Sequence, residues 1–127
     1  MIMIPISLGE LVDKITILKI KINNITDPQK LENINKEYNE LILLLDLSES
    51  DENFIELLNI NQKLWEIEDK IRIKEKMKEF DSEFIELARA VYYTNDKRCE
   101  IKRKINIEHS SYLVEEKSYQ DYELQQH

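Results

Sequence analysis

Only one glycine, Gly9, and two prolines, Pro5 and Pro28, occur in the whole chain, and none interrupts an apolar-periodic stretch. Glycine and proline build tight turns, bulges and phosphate loops. Their scarcity leaves long helices joined by short polar turns as the fold open to this sequence. The expected class is therefore all-α, with antiparallel helical hairpins forming a coiled-coil-like bundle of about four helices. At 127 residues, 42% of them apolar, the chain suits a single domain with one modest core.

Local signals place the helices. Ser7 and Glu10 spell a capping box, with Ile6 and Leu11 spaced as a hydrophobic staple, so a first helix is predicted over 8–24. Its seam is Leu8, Leu11, Ile15, Leu18, Ile22 and Ile25. Asp27 followed by Pro28 is an N-cap with proline in the first turn, and it opens a second helix over 28–46 with the seam Leu31, Ile34, Tyr38, Leu41 and Leu45. The polar interval 47–51 should form the loop between two halves. A third helix is expected over 52–78, with Phe54, Leu57, Ile60, Leu64, Ile67 and Ile71 as its seam. That seam would continue onto Lys74, Lys78 and Asp81, so a break is placed at 79–81, with Asp81 as N-cap and Phe80 and Ile85 as a second staple. A fourth helix follows over 82–107. The arm at 1–6 alternates Ile2, Ile4 and Ile6, a pattern for an extended segment that lies on the bundle as packing cover or pairs with a second copy. The tail, 108–127, has no clear period and reads as a frayed terminus.

Composition narrows function mainly by exclusion. A net charge of −8 argues against a nucleic-acid partner held by phosphate neutralisation, and the basic runs 97–98, 102–104 and 72–78 fall where cations complement helix dipoles. The longest apolar run, Leu41 to Leu45, is far below the ~18 residues of a membrane span. The start has neither the basic region nor the apolar core of a secretory signal, and the lone Cys99 permits no internal disulfide. Together these point to a cytoplasmic protein without a membrane partner. Cys99, His109 and His127 lack zinc-site spacing, and glycine-dependent nucleotide loops have no glycines to form them. No cofactor is expected.

Two side-chain constellations remain. Glu37 and Glu40 on the second helix and Glu66 and Asp69 on the third repeat the E-x-x-E and E-x-x-D spellings with which helical nucleotide pyrophosphatases hold magnesium, although their phase relative to the seams turns Glu40, Glu66 and Asp69 toward solvent. Closer to the apolar face lie Asn61 and Glu68 on the third helix and Arg89, Asn95 and Arg98 on the fourth. If those helices form a hairpin, residues whose numbers sum to about 160 lie level. Glu68 then falls between Arg89 and Asn95, and Asn61 near Asn95 and Arg98. The set is either a polar layer that fixes register, with Glu68 neutralising an arginine, or a pocket for a small anion anchored by Arg89 and Arg98.

The stretches Leu8 to Leu18, Leu64 to Arg72, Phe84 to Arg89 and Leu113 to Tyr119, with Asn95 to Arg98 between them, resemble an uncharacterised family of short helical proteins of bacteria and their phages. The resemblance implies no activity. It implies at most an accessory role beside surface-polysaccharide glycosyltransferases or repeat proteins, and it suggests that Val114 to Tyr119 docks on the bundle. A looser similarity to helical chorismate mutases rests on Arg89 and Arg98 beside acidic and apolar helical positions, without the full set of basic substrate anchors. The preferred expectation is a non-catalytic interaction or scaffold protein that forms a homodimer. The alternative is a small helical enzyme or binding protein for a phosphorylated or carboxylated metabolite.

Overall fold

The computed structural model describes residues 1–122 and is all-α: α1 (Leu8–Asn24), α2 (Pro28–Ile42), α3 (Glu52–Met77) and α4 (Ser82–Glu108), with no strand among the described residues. The four starts follow the capping logic. Ser7 accepts from the Glu10 amide, Asp27 from those of Gln29 and Lys30, Asp51 from those of Asn53 and Phe54, and Asp81 from that of Phe84. The capping box at Ser7 is only half made, because the Glu10 carboxylate is drawn across to Lys102 at 2.7 Å. Without a glycine to close it, α3 ends on Lys78 in the left-handed region at φ 57°.

Two expectations at helix ends need correction. α2 stops at Ile42 rather than 46, and the next residues tighten into turns (Leu44 N–H to Leu41 O, Leu45 N–H to Ile42 O) that set Leu45 and Leu47 against the core and leave Leu43 81% exposed. The staple across Asp81 does not form. Phe80 and Ile85 are both exposed, and Phe80 packs edge-on against Phe84, with ring centroids 5.2 Å apart.

The central helix of the bundle is α1. α1 packs on α2, α3 and α4. It buries Leu11, Val12, Ile15, Leu18 and Ile20, whereas α2 buries none of its residues. Contacts fix the directions: Gly9 meets Asn106 and Asp13 meets Arg98, so α1 runs antiparallel to α4 and, through the α3–α4 hairpin, parallel to α3. Gly9 is what permits the first of these contacts. A Cβ placed there would lie 2.4 Å from the Lys102 carbonyl oxygen and 3.0 Å from Asn106 Oδ1. Around this crossing the core joins Leu11, Val12 and Ile15 to Phe54, Leu57, Ile101 and Ile105.

The segments outside the helices behave differently from one another. The arm is not packing cover. Only Ile6 reaches the core, and Met1, Ile2, Met3 and Ile4 are 67–92% exposed. The tail, read from its lack of period as frayed, docks as far as it is described. Leu8 N–H donates to Ser111 Oγ, Glu115 approaches Lys102, Glu116 pairs with Arg103, and the Tyr122 hydroxyl donates to Asp96 at 2.6 Å. Residues 123–127, including His127, lie outside the described residues.

Candidate functional site

A helix with neighbours on three sides must bury more than one stripe, and on α1 the second stripe is Gly9, Asp13, Thr16 and Ile20, at helical spacings of four, three and four. Asp13, 1% exposed, is the hub of the polar layer. Arg98 grips it bidentately, Nε to Oδ1 at 2.9 Å and Nη2 to Oδ2 at 2.5 Å, and Asn61 Nδ2 donates to Oδ1 at 2.9 Å. Lys102 stands 3.8 Å from the same carboxylate and closes onto Glu10. Asn61 also donates to Thr16, and Asn95 Oδ1 accepts from Arg98 Nη1 at 3.2 Å. Glu10, Asp13, Arg98 and Lys102 thus form two acid–base pairs within one partly buried network.

Three of the five residues expected in the layer belong to it: Asn61, Asn95 and Arg98. Glu68 does not neutralise either arginine. It lies one helical turn from Arg72 and pairs with it at 3.2 Å on the surface, because Asp13 from α1 has taken the position opposite Arg98. Arg89 is absent from the layer as well. It is an exposed residue held by Glu86 and by the Tyr93 ring and hydroxyl. The basic run at 97–104 is likewise explained by ion pairs rather than by the helix dipole, since Arg98 and Lys102 are internal partners of acids on α1. In the run at 72–78, Lys74 is shared by Glu79, Asp81 and Glu83 around the hairpin turn.

The four carboxylates with the magnesium spelling do not converge. Glu37, Glu40, Glu66 and Asp69 are all exposed. α2 packs on α1 while α3 packs on α1 and α4. No group of three or more His, Cys, Asp or Glu side chains among the described residues is placed to share a metal ion.

Burial pulls the Asp13 carboxyl upward, but hydrogen bonds from Arg98 and Asn61 and the charges of Arg98 and Lys102 outweigh it and hold the group below its ordinary 3.8. Arg98 is pushed up by the same pair. An acid whose folded pKa is depressed contributes stability that is fully present above its unfolded value and is lost as pH falls through the folded one. Urea melts should therefore show stability falling below about pH 4 more steeply for the wild type than for Asp13→Asn, which has no proton to take up. Parallel pH profiles for the two proteins would show that Asp13 is not the linked group.

Beside the layer a groove of about 430 Å³ opens between α1 and the α3–α4 hairpin. Its apolar wall is Ile17, Ile20, Leu64, Trp65 and Val91, its inner end is Asn61, Asn95 and Arg98, and Glu68, Asp69 and Arg72 line the rest. Arg98 arrives already neutralised by Asp13, so the groove presents no uncompensated cation at its inner end. Two polar atoms there have no partner among the described residues: Asn61 Oδ1, an acceptor, and Asn95 Nδ2, a donor. That combination suits a neutral hydrogen-bonding group on an apolar ligand better than a free anion.

Residues 2–123 match a family described as a family of unknown function, DUF6165, and the chain belongs to it. No curated protein and no solved structure shows a significant match. Among the described residues no helix is long and apolar enough to cross a membrane.

Proposed function

We propose that this member of the DUF6165 family is a non-catalytic interaction protein of the bacterial or phage cytoplasm that works by self-association and protein contacts, with a homodimer as its basic unit. The observation that carries this reading is uncovered apolar surface. Met1 to Ile4 stand free of the bundle, and Ile73, Met77, Phe80 and Ile85 are each 55–59% exposed near the α3–α4 turn. Exposed apolar clusters of this kind are the usual mark of contact surfaces.

The groove favours a second reading, binding of a small metabolite, since its volume falls within the range of ligand pockets, about 300–1,000 Å³. A phosphorylated or carboxylated ligand fits it poorly. Arg98 gives three of its five N–H donors to Asp13 and Asn95 and has its charge neutralised by Asp13, and Arg89, the other expected anchor, lies elsewhere. Self-association is therefore the stronger assignment. Light scattering at micromolar concentration should give a mass near twice the 15.3 kDa of one chain. A clean monomer across the micromolar range would overturn the reading.

A further inference from the structure

We propose that the groove between α1 and the α3–α4 hairpin holds the extended N-terminal arm, Ile2-Met3-Ile4-Pro5, of a second copy of the chain. The inference rests on the self-association reading and names its contact. Three features of the arm match the groove. First, it is apolar and uncovered, with Ile2 90% and Ile4 67% exposed. Second, it is set in an extended form, because Pro5 disfavours the helical region for Ile4, and alternation puts Ile2 and Ile4 on one side of the chain. That side faces a wall of Ile17, Ile20, Leu64, Trp65 and Val91. Third, residues 2–5 carry no charged side chain, as befits a groove whose inner cation is already paired.

The two free amide atoms supply specificity. An extended peptide offers its N–H and C=O side by side, and Asn61 Oδ1 with Asn95 Nδ2 is the complementary acceptor and donor. An apolar strand laid on an apolar wall, with its backbone read by side-chain amides, follows the general logic of extended-peptide recognition.

Length decides between the chain's own arm and a second one. Ile6 is fixed against the core, so Ile4 and Ile2 reach only about 7 and 13 Å from it. Ile17 and Ile20 lie ten and thirteen residues beyond Ser7, roughly 15 and 20 Å along α1. Folded back, the arm would reach at most the near end of its own groove, where Asn61 and Arg98 meet Asp13, and would leave Ile20 uncovered. Reciprocal exchange between two copies fills both grooves at once and closes with twofold symmetry.

Trp65 is the chain's sole tryptophan and lines the groove, so its emission reports occupancy. The variant Ile2→Asp/Ile4→Asp changes only exposed side chains, and helical circular dichroism checks that the bundle stays folded. The wild type should sediment as a dimer with blue-shifted Trp65 emission. The variant should sediment as a monomer with red-shifted emission, and a synthetic peptide of residues 1–7 should restore the blue shift. A variant that remains dimeric overturns the arm as the contact while leaving self-association intact. A monomeric variant with unchanged emission, or one whose emission the peptide does not move, overturns the groove as its receptor. A monomeric wild type overturns both this inference and the reading beneath it.

Discussion

Replacing Asp13 with alanine is expected to cost roughly 3 to 5 kcal/mol, a large share of what holds a domain of this size together. The substitution removes the carboxylate that receives two hydrogen bonds from Arg98 and one from Asn61. It leaves the guanidinium, 28% exposed, without a counter-charge and removes a second acid from beside Lys102. A partly buried cation cannot recover its hydration where it stands, so most of the penalty is desolvation no longer offset. Glu68→Ala breaks only a surface pair with Arg72 and should cost well under about 1 kcal/mol. Urea melts followed by helical circular dichroism provide the comparison, and equal stability of Asp13→Ala and Glu68→Ala would refute the buried network. If Asp13→Ala fails to fold, Asp13→Leu/Arg98→Met removes both charges and should regain most of the loss, because what is costly is the orphan rather than the absence of the pair.

That contrast also shows where the sequence was legible and where it was not. Helix starts are local events: Ser7, Asp27, Asp51 and Asp81 each satisfy amides two or three residues ahead, and no tertiary contact is needed to foresee them. The α3–α4 hairpin is nearly as local. Counting residues from its turn puts Asn61, Asn95 and Arg98 at one level, and the structure joins them. Levels along a hairpin, however, do not say what a third helix inserts beside it. Glu68 was the nearest acid on the hairpin, whereas Asp13 comes from a helix some eighty-five residues earlier in the chain. A single heptad seam on α1 hid it, since a seam describes a helix with one neighbour and α1 has three. The signal was present as the second stripe of Gly9, Asp13, Thr16 and Ile20, which places a charge and the chain's only glycine on a face that a two-helix reading assigns to solvent.

The same stripe sets up a test in which the sign of the effect is decisive. In an exposed helix, Gly→Ala stabilises by up to about 1 kcal/mol, because alanine loses less backbone freedom on folding. At Gly9 the added carbon would lie 2.4 Å from the Lys102 carbonyl oxygen, a backbone atom with no flexible end to move aside, and 3.0 Å from Asn106 Oδ1. α1 and α4 must then separate, and forcing extra carbon into a packed contact costs roughly 1–3 kcal/mol. Separation also lengthens the 2.7 Å hydrogen bond that Gly9 N–H donates to Asn106, in a place where neither group can turn to water. Gly9→Ala should therefore lower stability by about 2–3 kcal/mol, against a gain from propensity alone. Asn106→Ala relieves the side-chain part of the clash but strands the Gly9 amide, so adding it to Gly9→Ala should not rescue the protein. A neutral or stabilising Gly9→Ala would mean that α1 and α4 are not in contact at this level, and the buried pairs of Glu10 with Lys102 and Asp13 with Arg98, which depend on that contact, would fall with it.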